Sequence, residues 1–150
     1  SHNFAILHIQ GDSMFPTYKH GSVLIIKKGK EIENQSIVVF SPPDSWGAKN
    51  TKFIKRVVAK EGDQVEITQE YIKINNKQLD FNVFGCENQE LFVKLKQNEY
   101  FVLGDNHGIS NDSLNQYCKG NDSFLVDESS IEIYGTEIFV IGGFSKWVKT

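Results

Sequence analysis

The chain has 150 residues and a formal net charge of −3, with 16 basic residues against 19 acidic ones. This length allows one compact domain with a core of its own, and the interspersed charges argue against nucleic acid as a partner. No apolar stretch approaches the roughly 20 residues that span a bilayer. The two cysteines, Cys86 and Cys118, lack the paired spacing of a zinc site, so we expect no metal or cofactor, and their pairing is left open.

Short runs of β-branched and aromatic residues, separated by turn residues, predict a mostly β fold with almost no helix. Asn75 and Asn76 before Lys77 predict a hairpin turn, because asparagine tolerates positive φ. The stretches 85–90 and 111–122 are predicted to be polar loops. The predicted strands cover residues 4–9, 22–27, 36–40, 52–59, 64–68, 71–74, 91–95, 100–103 and 137–141.

The distribution of these strands predicts two structural units. We expect a β core built from residues 1–61 and 98–150, with a small β subdomain, residues 62–97, inserted between them. Ser1 and His2 resemble the remnant of a removed tag, so we expect an upstream segment that this sequence lacks.

The first motif runs from Gly11 to Thr17 and places Ser13 where a strand gives way to a turn. Gly11 lets a peptide backbone approach without a Cβ clash, and Pro16 stiffens the turn. None of the four histidines is obviously placed as a base. Ser13 would therefore need another proton acceptor if it acts as a nucleophile.

The second motif places Lys55 in an apolar strand. Side chains alternate in a strand, so Phe53, Lys55 and Val57 are expected on one face. Burial lowers the pKa of a lysine by about 3 to 5 units when it is complete, which makes the amine a workable general base. Taken alone, Lys55 is better interpreted as a solvated strand lysine; the presence of Ser13 favours the base.

The third motif crowds small and acidic residues into a sharp turn after the strand 100–103. In isolation, a polar loop with Asx turns is the better interpretation of this pattern. Its members are Gly104, Asp105, Asn106, Ser110, Asp112 and Ser113.

Together and in this order, the three motifs resemble those of type I signal peptidases, the membrane-bound serine proteases that remove leader peptides from exported proteins. The motifs are most similar to those of Gram-positive-like members, and the resemblance implies a signal-peptidase-like β core with a small inserted β subdomain. A specialised, pilus-associated member of the family is also compatible with them. The matching boxes are Ser13, Met14, Phe15 and Pro16; Lys55 and Arg56 followed by Gly62 and Asp63; and the members of the third motif.

The resemblance also implies residue roles. Ser13 would be the acylating nucleophile, Lys55 the base, and Ser110 the serine that orients the lysine amine. The Ser13 backbone N–H would hold the oxyanion with help from Gly11, where some relatives use a serine hydroxyl. Structural support would come from Arg56, Asp105 and Asp112.

Two departures from the family pattern affect these expectations. Leu114 stands where the family has an arginine, and we expect Arg56 to compensate, so the pairing of Asp105 and Asp112 is a hypothesis. Family members also carry transmembrane helices ahead of the nucleophile box. We therefore expect a cell-membrane protein whose catalytic domain lies on the extracytoplasmic side.

The implied partners are exported preproteins, with pilins among the candidates, and membrane lipid. An extended peptide would add to an exposed strand and place small side chains in shallow apolar pockets. Those pockets would be lined by Ile9, Met14, Phe15, Ile37 and Val39, each of which is otherwise an ordinary core residue. Lipid contact is considered for Trp46, Phe144 and Trp147, which could equally cap the core.

Three other functions compete with a signal peptidase. A self-cleaving regulator with a Ser-Lys pair needs an upstream cleavage segment that is not visible, and the third motif speaks against it. A signal-peptidase-like assembly factor for pili or surface proteins would have weak or no proteolytic activity; intact Ser13 and Lys55 argue against it, while Leu114 leaves room for it. A plain β module with accidental motifs is the third alternative.

Overall fold

The fold was analysed in a computed structural model that describes residues 3–143. Of these residues 38% are strand and 9% helix, which confirms the mostly β prediction. The elements in chain order are β1 (Phe4–His8), β2 (Ser22–Lys27), β3 (Ile37–Phe40), β4 (Phe53–Ala59), β5 (Gln64–Ile67), β6 (Ile72–Ile74), β7 (Lys77–Gln78), β8 (Leu91–Lys94), β9 (Glu99–Leu103), α1 (Ser113–Cys118), β10 (Val126–Asp127), β11 (Ile131–Gly135) and β12 (Glu137–Gly143). Two 3₁₀ turns, Asp44–Trp46 and Glu128–Ser130, complete the set.

The strands form three antiparallel sheets. One sheet has the order β1-β2-β12, the second β10-β9-β4-β3-β11, and the third β7-β6-β5-β8. Strand β4 lies in the middle of the five-stranded sheet, with Lys55 opposite Val38 of β3. Strand β1 pairs only with β2, so its other edge is open among the described residues.

The alternation of β4 explains how a lysine comes to be buried. Its residues Lys55, Val57 and Ala59 are all buried on one face, while the residues between them are half-buried. Because side chains alternate along a strand, Lys55 lies on the same face as Val57 and Ala59 and is buried with them when that face packs into the core. The predicted face assignment of Lys55 and Val57 is therefore confirmed.

The predicted loop at 111–122 is wrong, because six of its residues form helix α1. Asp112 begins the helix by accepting a hydrogen bond from the Asn115 N–H at 3.0 Å, and Leu114 and Tyr117 pack into the core. The helix has fewer than two turns, too short for a recognisable apolar period. The two-residue strands β7 and β10, and strand β11, were not predicted from the sequence.

Cys86 and Cys118 form a disulfide across 32 residues of sequence. The bond joins the segment between β7 and β8 of the four-stranded sheet to the last residue of α1. It thereby ties two distant stretches of chain together near the third motif.

Trp46 does not lie at a surface that lipid could reach. It is 4% exposed, its indole N–H donates to the Ser123 carbonyl at 2.6 Å, and its ring packs edge-on against Phe40. The lipid interpretation of Trp46 is therefore wrong, and the residue caps the core. Phe144 and Trp147 lie outside the described residues. Within residues 3–143, none of the helices is long and apolar enough to cross a membrane.

Candidate active site

The site forms where the turn after β1 meets the ends of β4 and β9. Asn106 of the third motif binds the turn that carries Ser13. Its N–H donates to the Ser13 carbonyl at 2.8 Å, and its side-chain amide donates to the Asp12 carbonyl at 3.1 Å. Ser13 is thus fixed by residues more than 90 positions away, which the sequence motifs alone could not show.

Ser13 and Lys55 meet at this point. The Lys55 Nζ lies 2.9 Å from the Ser13 Oγ and donates a hydrogen bond to it. Lys55 is 4% exposed. The pair has the distance and the burial that a proton transfer between a hydroxyl and an amine requires.

The environment of Lys55 changes its pKa. Burial lowers the pKa of the Lys55 amine from 10.5 to about 8, partly offset by the attraction of the Asp112 carboxylate. The ring of Phe53, whose centroid lies 5.0 Å from the Nζ, adds a weaker attraction for the cation. At neutral pH about one amine in ten is therefore uncharged, against fewer than about one in a thousand for an ordinary lysine.

Ser110 lies directly behind the nucleophile's backbone. It is 5% exposed, and no described residue makes a well-formed hydrogen bond with its Oγ. The hydroxyl is close enough to Asp112 to lower the pKa of that carboxyl, although the geometry falls short of a well-formed hydrogen bond. A buried hydroxyl without a partner is unusual and points to a role beyond packing.

Gly104 makes the approach of Ser110 to Ser13 possible. A Cβ at position 104 would lie 2.6 Å from the Ser13 carbonyl oxygen and 2.6 Å from the Ser110 Cβ, both closer than real contacts allow. Its φ is not in the left-handed region, so the requirement for glycine here is space alone. The first and third motifs could not come together around a larger residue.

Asp112 organises the third motif as a buried carboxylate. It accepts hydrogen bonds from the Gly104 N–H at 3.1 Å and, as the N-cap of α1, from the Asn115 N–H. Burial raises the pKa of the Asp112 carboxyl; these amides, Ser110 and Lys55 act in the opposite direction.

Arg56 and Asp105 form the ion pair beside the site. The Arg56 Nη2 lies 2.8 Å and its Nε 3.0 Å from the two carboxylate oxygens, and the Thr17 hydroxyl donates to the same carboxylate at 2.6 Å. Burial raises the pKa of Asp105, but the bonds from Arg56 and Thr17 outweigh it, so the pKa is lowered overall.

The pair of Arg56 and Asp105 bears on the family arginine that Leu114 replaces. Leu114 is buried in the core, and Arg56, the only arginine of the chain, is engaged by Asp105. Arg56 thus pairs with Asp105, while Asp112 accepts hydrogen bonds from the Gly104 and Asn115 amides and is attracted by the charge of Lys55.

Gly11 has positive φ, as its turn requires, and its amide is engaged by a side chain. The Gly11 N–H donates to the His20 Nδ1 at 2.8 Å. A role for His20 was not predicted from the sequence, because the contact bridges nine residues and follows no motif.

A groove of about 760 Å³ runs past Ser13 and Lys55 along the open edge of β1. Of the predicted pocket residues, Ile9 and Val39 line it. Met14 and Ile37 are 1% and 0% exposed and pack with Ile26 in the core, and Phe15 is exposed outside the groove. The structure thus corrects three of the five assignments, because the turn after Ser13 folds Met14 inward.

The groove has further walls that the sequence analysis missed. They come from the start of β4 and the residues just before it, from β11 and from the turn of the third motif: Thr51, Lys52, Ile54, Ile109, Asn111, Glu132 and Ile133. Ile109 had a visible signal, since it is a large aliphatic residue in an otherwise polar turn, and it is 64% exposed.

Comparisons with known proteins point to one family. The family model described as signal peptidase, peptidase S26, matches residues 2–132. A "Probable signal peptidase I-2" of a Synechocystis species is 38% identical over 71% of this chain and 52% of its own, and "Signal peptidase I S" of Bacillus subtilis is 30% identical over 98% and 82%. The chain thus spans about half the length of the Synechocystis relative.

Further relatives also come from Bacillus, including a "Signal peptidase I" of Bacillus amyloliquefaciens at 29% identity over 95% of this chain and 76% of its own. The Gram-positive-like resemblance is confirmed by these relatives. Among solved structures, a signal peptidase I from Enterococcus faecalis superposes with a TM-score of 0.48 at 24% identity, covering 69% of this chain and 96% of the other.

Proposed function

This chain belongs to the signal peptidase family, peptidase S26, and we propose that it is a serine endopeptidase that removes N-terminal signal peptides from exported preproteins. The observation that carries the proposal is the 2.9 Å contact between the Lys55 Nζ and the Ser13 Oγ. The buried Lys55 amine, in its uncharged form, can accept the proton of the Ser13 hydroxyl.

In the acylation step, the uncharged Lys55 amine takes the proton of the Ser13 hydroxyl while the Oγ bonds to the scissile carbonyl carbon. The resulting oxyanion collapses, the carbon–nitrogen bond breaks, and the Lys55 ammonium gives its proton to the leaving amine. In the second step Lys55 accepts a proton from the attacking water, whose oxygen bonds to the acyl carbon. The bond from that carbon to the Ser13 Oγ then breaks, the Lys55 ammonium returns the proton to the Oγ, and the new carboxyl end of the signal peptide leaves.

Ser110 acts on this cycle as a positioning residue. Its buried, unpaired hydroxyl beside the Ser13 backbone supports a role in orienting the Lys55 amine. The Gly104 N–H donates to Asp112, which fixes the turn that carries Ser110, and the pair of Arg56 and Asp105, joined by the Thr17 hydroxyl, supports the turn that carries Ser13.

The Ser13 backbone N–H is proposed to donate to the oxyanion, as in other acyl-transfer sites. The Gly11 N–H is bonded to His20, so Gly11 contributes first through its conformation and the room that it leaves for the substrate backbone. For the Gly11 N–H to donate to the oxyanion, its hydrogen bond to the His20 Nδ1 would have to break.

The proposed substrate lies extended along the open edge of β1, with a small side chain before the cut packed between Ile9 and Val39. Both residues line the groove that contains Ser13. Pilins are one class of exported protein that fits this proposal, and the described residues hold no feature that selects them.

We further propose that the protein is anchored at the cell membrane with this domain on the extracytoplasmic side, and that it contacts lipid. A row of exposed apolar side chains on β1 and β12 supports the contact. Its members are Phe4, Ile6, Phe139, Val140 and Ile141.

We retain the division into a core, residues 1–61 and 98–150, and an inserted subdomain, residues 62–97, as a proposal. The separate four-stranded sheet from β5 to β8 supports it. The inner face of that sheet, which includes Val65 and Ile67, packs against Phe101 and Leu103 of β9, so the subdomain would share its core with the rest of the chain.

The test is cleavage of a peptide with alanine at the first and third positions before the cut, in the presence of detergent or lipid. Ser13→Ala and Lys55→Ala should each abolish turnover while circular dichroism shows the fold intact. Lys94→Ala is the matched control, because Lys94 is an exposed strand lysine far along the chain from the site.

The proposed mechanism would be overturned if Ser13→Ala and Lys55→Ala cleaved the peptide at the wild-type rate. Binding of exported proteins without any turnover would favour the assembly factor instead. Turnover confined to the protein's own chain would favour the self-cleaving regulator.

A further inference from the structure

A second cavity, which we call the distal cavity, adjoins the substrate groove. Its volume is about 610 Å³, and its walls come from residues 81–85 and 107–119. The groove and the distal cavity share Ile109 and Asn111. Both recesses therefore open on the same loop, and the distal cavity also reaches Ser110 and Asp112 behind the nucleophile.

The distal cavity carries exposed apolar groups that a folded monomer normally covers. Phe84 is 84% exposed, the largest such fraction among the exposed large apolar residues described, and Ile109 is 64% exposed. The ring of Phe81 stacks on that of His107 with centroids 3.8 Å apart and planes 11° apart. These groups together offer a flat aromatic wall and two accessible apolar side chains within one recess.

The two walls of the distal cavity are covalently joined. Cys86 directly follows the first wall and forms a disulfide with Cys118 of the second. The Glu87 N–H also donates to the Cys118 carbonyl at 3.3 Å. Because segments more than 20 residues apart are held in this way, the recess exists before a ligand arrives, which lowers the ordering cost of binding.

We propose that the distal cavity binds the part of the substrate that follows the scissile bond and selects an aromatic or long aliphatic side chain there. The inference rests on the proposed function. If the residues before the cut lie between Ile9 and Val39, the chain beyond Ser13 continues over Ile109 into the adjoining recess. Its volume lies within the range of roughly 300 to 1,000 Å³ that is usual for binding pockets.

The polar groups of the distal cavity suit a peptide rather than a free hydrocarbon. Asn82, Asn115 and Lys119 line it together with the apolar residues, and amide side chains both donate to and accept from a peptide backbone. Phe84 and Ile109 would then contribute the selectivity, since one apolar side chain in a pocket changes the specificity ratio by about tenfold or more.

The experiment uses two peptides with the same alanine-containing sequence before the cut and four residues after it. The second and third residues after the cut are phenylalanine in one peptide and glycine in the other. For the wild type we expect kcat/KM to be about tenfold higher for the phenylalanine peptide. In Phe84→Ser and in Ile109→Ala this ratio should fall toward about one.

Phe92→Ser is the matched control, because Phe92 is an exposed phenylalanine, at 68%, that lines neither recess. It should keep the wild-type ratio. The inference is overturned if the wild type does not discriminate between the peptides, or if the ratio in Phe84→Ser equals that of the wild type. Either result leaves the proposed function standing as long as Ser13→Ala abolishes cleavage of both peptides.

Discussion

Gly104 and Ser110 lie so close together that no side chain fits between them, and the same space is bounded by the carbonyl oxygen of Ser13. The contact joins the end of β9, the turn of the third motif and the nucleophile. Its consequence is that the relative position of Ser13 and Ser110 depends on a residue that takes no part in the chemistry.

Gly104→Ala should therefore lower activity through geometry. The added Cβ would push the Ser110 side chain or the Ser13 backbone aside, and we expect kcat to fall by about 100-fold with a loss of stability of about 1 to 3 kcal/mol. Peptide cleavage and urea unfolding measure the two effects. Gly142→Ala is the control, because nothing lies within 4 Å of a Cβ there; equal kcat in the two variants would contradict the steric role.

Ser110→Ala separates positioning from packing. The hydroxyl has no well-formed partner, so its removal should leave the unfolding free energy nearly unchanged or slightly higher, while kcat falls by roughly 10-fold to 100-fold and KM changes little. Kinetics and denaturant unfolding provide the readouts.

Ser113→Ala is the contrasting variant for Ser110. The Ser113 hydroxyl is fully buried and accepts a hydrogen bond from the Val102 N–H at 3.0 Å. Its loss should cost about 1 to 3 kcal/mol of stability and change kcat much less. A Ser110→Ala enzyme with full kcat would remove Ser110 from the mechanism.

Asp112→Asn should shift the pH profile of cleavage in a defined direction. The Asp112 carboxylate stabilises the Lys55 ammonium and so raises the pKa of that amine. Neutralising it should lower this pKa, so that the rise of the rate with pH begins at lower pH than in the wild type. Asparagine also caps helices, so α1 should persist.

Asp127→Asn is the control for the charge effect, since Asp127 caps a 3₁₀ turn and is not among the groups that shift the pKa of Lys55. It should leave the pH profile unchanged. A shift of the Asp112→Asn profile to higher pH would contradict the proposed electrostatic coupling.

Asp105→Asn tests the ion pair with Arg56. The pKa of Asp105 is lowered in the fold, so its contribution to stability is present above the unfolded pKa of about 3.9 and is lost as the pH falls through the folded value. We expect the variant to be less stable at pH 7 by about 1 to 3 kcal/mol. The difference should narrow below about pH 4, and thermal unfolding across pH measures it; a difference independent of pH would contradict the ion pair.

The strands and the residues of the site differ in how far the sequence could predict them. Runs such as 22–27 and 64–68 predict strands because they are rich in β-branched residues and are bounded by turn residues. Helix α1 has only one local signal, the N-cap residue Asp112, and otherwise depends on burial against the rest of the fold. The contact of Ser13 with Lys55 followed from the resemblance of the motifs. The inward turn of Met14 depends on its packing with Ile26 and Ile37, and the bond from Gly11 to His20 follows no sequence motif.

The pH titration of the Lys55 amine itself, followed by nitrogen NMR of lysine-labelled protein and assigned with Lys55→Arg, tests the account most directly. We predict a midpoint of about 8 for Lys55, below the value of about 10.4 for a lysine side chain in a model peptide. A Lys55 midpoint near about 10.4 would show a solvated ammonium and would contradict the role of Lys55 as the base for Ser13.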